Sequence, residues 1–508
     1  MKVLPCLFGP LFAITSGASA LSFRSFDTGT SQLAVATTSG SVHGFVNSTA
    51  PNVRQFRGIP FAQPPVGLVE PSREDEIHVS PASCRYCLSL TGSSSVRNDF
   101  NSSTDQLWVG LANVDITPEI NPNWLPLNEF ELEKLHVRAI VFENNGERGA
   151  LISVEIANYE QLVYEHMIGM VAGWLNVSQA NVLFSATHTH GAAPWGSGLF
   201  WTAHNYGNQA VNIYPTLGDA TLKAVKEAYA KMVPAKVGYA TGEAYLNVNR
   251  DNMNPLTGRW TQFSNLTDWP GAMCRWIEQS FGDDVVALYS QSASGDMNPR
   301  CRRTGTNTLA SIAHMPIPGL EMAQEPIEEP IRNFYIPLER PDVAYVPQLF
   351  SELTAGGIVL GEEVIRIIST TTEWDSNPTV WTKQANVTCP GRSRMDNARE
   401  GVPGYYVNGT DIAIMTGVMG LGDLVLAHVG AEIFTRIGWN IYDNSVMNKT
   451  MLVTMCNGVS TSGYIADVDS VSQEVFQTLG SNLYPGACAQ QSIVSSTSGY
   501  IQEYKASL

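Results

Sequence analysis

The stretch that decides the fold is Asn181-Val-Leu-Phe-Ser-Ala-Thr-His-Thr-His-Gly-Ala-Ala-Pro194. Its apolar start, residues 182–184, predicts a buried strand, which small residues end before His188 and His190. Residues two apart in an extended chain point to the same side, so we expect both imidazoles to face one cavity. Imidazole is a common zinc ligand, but such a pair is equally compatible with two structural polar side chains in a loop.

Strand and helix patterns alternate on both sides of this stretch. The turn Asn144-Asn145-Gly146 lies between two apolar runs and predicts a β-hairpin, and apolar spacing of three and four predicts helices. The alternation predicts a mixed α/β domain. Predicted strands are 107–117, 136–143, 149–156, 181–185, 235–239, 284–289, 411–416, 424–429 and 449–455, and predicted helices are 160–175, 219–232, 270–281, 360–369 and 432–441.

The N-terminus predicts export of the chain. Residues 1–20 have a lysine, an apolar core and the sequence Ala18-Ser19-Ala20, which is typical of a cleaved signal peptide. Eight cysteines include one in the signal, so an odd number remains to form disulfides in an oxidising compartment. We therefore expect a secreted glycoprotein, with seven glycosylation sequons at Asn47, Asn101, Asn176, Asn265, Asn386, Asn408 and Asn448.

Composition and charge argue against a nucleic-acid partner and against a membrane span. The net charge is −17 and no basic run is present, which disfavours nucleic acid as a partner. No segment beyond the signal has 18 uncharged apolar residues, so no transmembrane span is predicted. A large, acidic, exported enzyme or binding protein remains.

Five motifs in a fixed order carry a family resemblance. The series resembles the neutral/alkaline non-lysosomal ceramidases and their relatives, and the resemblance covers residues 105–508. The fold it implies is a neutral ceramidase-like catalytic domain, without the C-terminal immunoglobulin-like domain of the true ceramidases. The motifs are Val109-Gly-Leu-Ala-Asn-Val-Asp-Ile-Thr-Pro118, Ser185-Ala-Thr-His-Thr-His-Gly191, Asn247-Val-Asn-Arg250, Gln291-Ser-Ala-Ser-Gly-Asp-Met-Asn-Pro299 and Gly463-Tyr464-Ile465.

The resemblance also implies a site. Zinc would be held by His188, Glu432 and Tyr464, together with a second histidine, and would activate a water that attacks an amide carbonyl. His190 and Arg250 would stabilise the oxyanion or orient the substrate. Taken alone, the residues leave other roles open: a helix N-terminal carboxylate for Glu432, a half-buried aromatic for Tyr464 and a surface ion pair for Arg250.

Two departures affect this site. Asn298 stands where the family carries a serine, so it can donate a hydrogen bond but cannot act as a hydroxyl nucleophile. The strand with the second zinc histidine is missing between residues 263 and 268, which leaves His204 and His428 as substitute ligands. We therefore expect weak zinc binding and poor amide hydrolysis.

A second resemblance lies at the N-terminus. Thr37-Thr-Ser-Gly-Ser-Val-His-Gly44 and the stretch 53–67 resemble the start of a type-B carboxylesterase. The chain contains no Gly-x-Ser-x-Gly nucleophile motif, so esterase activity is the least supported function. The expected organisation is a signal peptide at 1–20, an esterase-like fragment and linker at 21–104, and a hydrolase domain at 105–508.

Three functions stay open. The first is a secreted zinc-dependent amidohydrolase that cleaves the N-acyl bond of ceramide or a related lipid amide, with peripheral contact to a membrane surface. The second is a ceramidase-like protein with impaired catalysis, and the third is a carboxylesterase. Zinc analysis separates the first two, and a serine-reactive probe tests the third.

Overall fold

The structure is a computed structural model of the 508-residue chain. The chain divides into two compact units, Met1–Ala18 with Val79–Leu508, and Ser19–His78. Strand and helix residues outside the ranges given next are described by their backbone alone. Complete residues are described at 105–117, 134–159, 161–189, 217–244, 246–247, 249–250, 269–282, 285–298, 353–396, 404–458, 463–471, 475, 477–478, 481–484 and 486–508.

The first sheet has nine strands and contains the predicted hairpin. Asn145 and Gly146 both have positive φ, 49° and 85°, as a two-residue type I′ turn requires, so the hairpin prediction is confirmed. In sheet order the strands are Val182–Ala186, Glu147–Val154, His136–Asn144, Trp108–Asp115, Val233–Ala240, Cys87–Gly92, Leu11–Ser16 and Val285–Tyr289, with Trp374–Asp375 paired to Val233–Ala240.

The second sheet has four strands and packs face to face on the first. In order they are Val380–Cys389, Ile412–Leu421, Leu424–Val429 and Lys449–Thr454. Side chains of both sheets share one buried apolar cluster, in which Phe142 and Leu183 of the first sheet meet Leu426 and Met451 of the second. Strand Val380–Cys389 was not predicted, because half of its residues are polar and most are only partly buried.

Helices cover the outer face of each sheet. Gln161–Leu175 and Tyr214–Ala230 pack on the first sheet, and Thr435–Asp443 and Cys488–Ser507 pack on the second. The layers therefore run helix, sheet, sheet, helix, which confirms the mixed α/β prediction. Among the described residues, no helix is long and apolar enough to cross a membrane.

A third pair of helices packs beside strand Val285–Tyr289. Trp269–Phe281 begins at its predicted position, whereas Tyr345–Ser369 is much longer than the predicted 360–369. From sequence, Gly356 and Gly357 predict an interruption of the helix. In the structure, a Cβ on either would lie 2.5 Å from an atom of helix Trp269–Phe281. Close helix contact therefore outweighs the low helix propensity of glycine.

Shorter elements complete the fold. The predicted insertion at 302–346 lies mostly outside the described residues, and the signal peptide and domain boundaries stay predictions. The remaining strands are Cys6–Leu7, Ala34–Thr37, Gly40–His43, Phe45–Asn47, Ala50–Gln55, Ala82–Ser83, Asn247–Asn249, Asp251–Met253, Trp260–Gln262, Met297–Pro299, Arg392–Arg394, Tyr406–Asn408, Glu432–Ile433 and Tyr464–Ile465, and the remaining helices are Gln179–Asn181 (3-10), Val468–Ser472 and Phe476–Leu479.

Candidate functional site

His188 lies just after strand Val182–Ala186, which pairs in parallel with Glu147–Val154. Its backbone is left-handed, with φ 64°, an uncommon conformation for a residue with a Cβ. The turn brings ring atom Nδ1 to 2.7 Å from the carbonyl oxygen of Ala157. When Nδ1 donates to that carbonyl, Nε2 is the ring nitrogen with a free lone pair.

Glu432 lies in the two-residue strand Glu432–Ile433, which pairs in parallel with Tyr464–Ile465. The prediction of a helix from Glu432 is therefore wrong, since the helix begins at Thr435. The backbone just before that helix forms other hydrogen bonds, because Ile433 O accepts from the amides of Ser294 and Gly295. These bonds come from a segment far away in sequence, so local patterns could not reveal them.

The side chains of His188 and Glu432 meet. His188 Nε2 lies 3.4 Å from Glu432 Oε2, and both side chains are largely buried. Burial, the strongest influence, lowers the pKa of His188, but the Glu432 carboxylate and the Ala157 carbonyl favour the protonated ring, and the net pKa is raised. The ring thus lies where a positive charge is stabilised, and a proton or a metal ion can supply that charge.

Arg250 and Tyr464 lie beside this pair. The Arg250 guanidinium carbon is 5.0 Å from the centre of the Tyr464 ring, and Tyr464 is the backbone partner of Glu432. Arg250 Nη2 donates to Gly295 O at 2.6 Å, which fixes the side chain. Its charge also acts on His188. Arg250 is therefore part of the cluster around His188 and Glu432.

Asp296 organises the cluster and was not singled out from the sequence. Its buried carboxylate accepts from the amide and hydroxyl of Thr435, at 2.8 and 2.7 Å, and from Asn249 Nδ2 at 3.1 Å. The helix-capping residue Phe434 has no side-chain acceptor, so Asp296 caps the helix from another segment. Burial raises the pKa of Asp296, while the Thr435 bonds act in the opposite direction.

Asn298 lies two residues after Asp296, in strand Met297–Pro299, and is buried. That strand pairs antiparallel with Asn247–Asn249, so the two motifs that carry Asn298 and Arg250 are adjacent. The amide of Asn298 can donate a hydrogen bond but has no nucleophilic hydroxyl. Its predicted role stays a prediction.

Residues Met455–Gly458 hold the free edge of strand Val182–Ala186, and we call them the clasp. The Asn457 side chain accepts from Phe184 N at 2.7 Å and donates to Val182 O at 2.9 Å, so it pairs with the strand as a peptide group would. Met455 O accepts from Ala186 N at 3.0 Å. The sequence signal was the Asn457-Gly458 pair, which is typical of a left-handed turn.

His188 and Glu432 fit two ligands of one zinc ion. Zinc bonds of about 2.0–2.2 Å at a tetrahedral angle place two ligand atoms about 3.4 Å apart, and the observed separation is 3.4 Å. The Ala157 contact also leaves the correct ring nitrogen for a metal. In the described residues, however, no third His, Cys, Asp or Glu side chain joins them.

Three other histidines were named from the sequence for this site, and the structure describes one of them. His190, His204 and the gap at 263–268 lie outside the described residues. His428, the other candidate for a substitute ligand, is described and does not join the site. It lies inside strand Leu424–Val429, packed against Gly417, and does not form a metal-binding group with the site.

Comparison with known structures shows a shared fold. The neutral ceramidase from Pseudomonas aeruginosa matches with a TM-score of 0.54 and 13% identity, over 79% of this chain and 75% of that one. A ceramidase complexed with C2 matches with a TM-score of 0.55 and 14% identity, over 78% and 76%. The predicted resemblance is therefore confirmed for the fold.

Sequence comparison gives a separate, partial match. No family model matches the chain. The chlorogenic acid esterase of Aspergillus niger is 45% identical over 62 residues, which are 12% of this chain and 12% of the esterase. The chain thus spans about an eighth of that relative, and the short esterase resemblance is confirmed without its activity.

Proposed function

We propose that the chain is a zinc-dependent amidohydrolase that cleaves the N-acyl bond of ceramide or a related lipid amide. The observation that carries the proposal is the 3.4 Å approach of His188 Nε2 to Glu432 Oε2 in a neutral ceramidase-like fold. Their separation and the contact of His188 Nδ1 with the Ala157 carbonyl suit a shared metal ion. Tyr464, the backbone partner of Glu432, is the proposed third ligand.

The residues around the pair have distinct roles in this proposal. Zinc, when bound, would supply activation of water for attack on an amide carbonyl. Arg250 is held by Gly295 O and the Tyr464 ring, and its cation would stabilise negative charge on the carbonyl oxygen. Asn298 would donate a hydrogen bond to the same oxygen or to the substrate, and His190 would stabilise the oxyanion or orient the substrate.

A second candidate is a ceramidase-like protein with impaired catalysis. Among the described residues only two acid or imidazole side chains meet at the site, and a phenol binds zinc weakly unless it is deprotonated. Loss of an outer-shell partner of a ligand commonly lowers metal affinity by roughly 10- to 100-fold, and loss of a ligand itself should cost at least as much. This candidate keeps the fold but predicts weak zinc binding and slow turnover.

Secretion is proposed together with this function. The four sequon asparagines that the structure describes, Asn176, Asn386, Asn408 and Asn448, are all exposed. A disulfide joins Cys389 to Cys488, as is usual in exported proteins. These observations support an exported glycoprotein that meets its lipid substrate peripherally at a membrane surface.

The experiment measures zinc content after dialysis and turnover of a fluorescent N-acyl sphingosine. The test variants are His188→Ala and Glu432→Gln, and the matched control is His166→Ala, which removes an exposed imidazole from helix Gln161–Leu175. Both test variants should lose zinc and activity, and the control should keep both.

Three outcomes separate the candidates. Stoichiometric zinc with high turnover in the unmodified chain supports the amidohydrolase. Weak zinc and low turnover, both still dependent on His188, support the impaired protein. Zinc content and turnover that are unchanged by His188→Ala would refute both.

A further inference from the structure

A small cavity lies beside strand Tyr464–Ile465 and is separate from the His188–Glu432 pair in its lining residues. It has a volume of about 20 Å³ for the centre of a water-sized group, and it opens partly to solvent. A volume of this order holds about one water molecule or one monatomic ion. Its lining includes Arg392, Ile465, Thr478, Ser481, Gly486 and Ala489.

Arg392 brings a positive charge to this cavity. The side chain is only 8% exposed, its Nε donates to Ser481 O at 3.1 Å, and its Nη2 donates to Thr478 O. The guanidinium also stacks on the Tyr406 ring, 3.7 Å from the ring centre. Nη1 makes no hydrogen bond to a described residue.

The charge of Arg392 has no described counter-ion. In the described parts of the chain no carboxylate lies within 4 Å of it, whereas buried Arg138 has two, Glu155 and Glu278. Burial lowers the pKa of Arg392, and the groups that act in the opposite direction are tyrosines. A buried cation without an anion is costly, so a site of this kind favours an anion.

The N-terminus of helix Cys488–Ser507, which carries a partial positive charge, also borders the cavity. Its capping residue, Ala487, provides no side-chain acceptor, and buried Ala489 of the first turn lines the cavity. The amides of a helix N-terminus attract negative charge. The hydroxyls of Thr478 and Ser481 already donate to Val475 O and Tyr464 O, so the attraction comes from Arg392 and the helix.

We propose that this cavity binds one small monoanion of chloride size. The cation and the uncapped helix favour an anion, and the small volume favours a monatomic ion over larger oxyanions and organic carboxylates. The bound ion would neutralise Arg392 and connect strand Arg392–Arg394 to helix Cys488–Ser507. It would also support Tyr464, because Ser481 Oγ donates to Tyr464 O at 3.3 Å. The proposal is independent of any catalytic activity.

Bromide is the probe, and thermal unfolding of the full chain is the first readout. The melting temperature should rise with sodium bromide and saturate, and sodium sulfate at equal ionic strength should not give a saturable rise. Arg392→Met should weaken the apparent bromide affinity by roughly 10- to 100-fold, the range for loss of a charged hydrogen-bond donor. Arg394→Met is the matched control, because Arg394 lies on the same strand but pairs with Asp396.

A second measurement does not depend on the variant folding. Crystals of the unmodified protein grown in bromide should show an anomalous scattering peak beside Arg392 and the first turn of helix Cys488–Ser507. The absence of that peak would overturn the proposal. So would equal responses to bromide and sulfate, or a bromide response that Arg392→Met leaves unchanged.

Discussion

Replacing Asn457 by alanine should strongly destabilise the protein, because the clasp would lose its hold on strand Val182–Ala186. The side chain accepts from Phe184 N at 2.7 Å, donates to Val182 O at 2.9 Å, and is fully buried. Leaving a buried donor or acceptor without a partner costs about 1–3 kcal/mol, so the two strand groups together cost about 2–6 kcal/mol. The left-handed backbone at φ 49° costs alanine about 1–2 kcal/mol of further folding free energy, the penalty for any residue with a Cβ.

Asn145→Ala is the matched control for that backbone cost. Asn145 has the same φ of 49°, but it is exposed in a hairpin turn and makes one bond of 3.2 Å to Asn377. Equilibrium denaturation in urea, followed by circular dichroism, gives the free energy of unfolding of each variant. Asn457→Ala should lose about 2–6 kcal/mol more than Asn145→Ala. Losses equal within about 0.5 kcal/mol would refute the role assigned to the clasp.

Three further predictions concern stability. Burial lowers the pKa of His428 to about 3, so between pH 6.5 and pH 3 the unfolded chain binds a proton that the folded chain does not. Stability should therefore fall by up to about 1.4 kcal/mol per pH unit as pH drops through this window, and His428→Leu should flatten the dependence measured by urea unfolding. Replacing Cys389 and Cys488 by serine opens a bridge between residues 99 positions apart, and should cost about 2–5 kcal/mol. An unchanged melting temperature under reducing conditions would argue against that contribution. Arg138→Met leaves Glu155 buried without its 2.5 Å partner and should cost about 3–5 kcal/mol, whereas a double change of both residues to apolar ones should recover much of the loss.

Much of the fold followed from local patterns. The Asn145-Gly146 turn, the apolar run before His188 and the spacing of helix Gln161–Leu175 each depend on neighbours in sequence, and each was predicted within a few residues. Helix Cys488–Ser507 was missed because its sequence is rich in serine and glutamine. Its buried residues recur at helical spacing, for example Ile493 and Ile501.

The site could be predicted only in part. The family resemblance indicated His188, Glu432, Arg250 and Tyr464, and the structure brings these four together. The residues that hold them, such as Asp296 and Asn457, act across long sequence distances through hydrogen bonds. No local propensity encodes such bonds, so the helix start after Glu432 was misplaced and the clasp was not predicted.

The clasp also fixes when the site can form during synthesis. Asn457 bonds to Phe184 across 273 positions of sequence. At about 5–20 residues per second, a ribosome needs roughly 15–55 s to make that length of chain. Throughout this interval strand Val182–Ala186 lacks the partner for its outer edge, and an unpaired apolar edge invites association with other chains. The yield of soluble protein should therefore depend on chaperones that bind the nascent chain until its last sheet has been made.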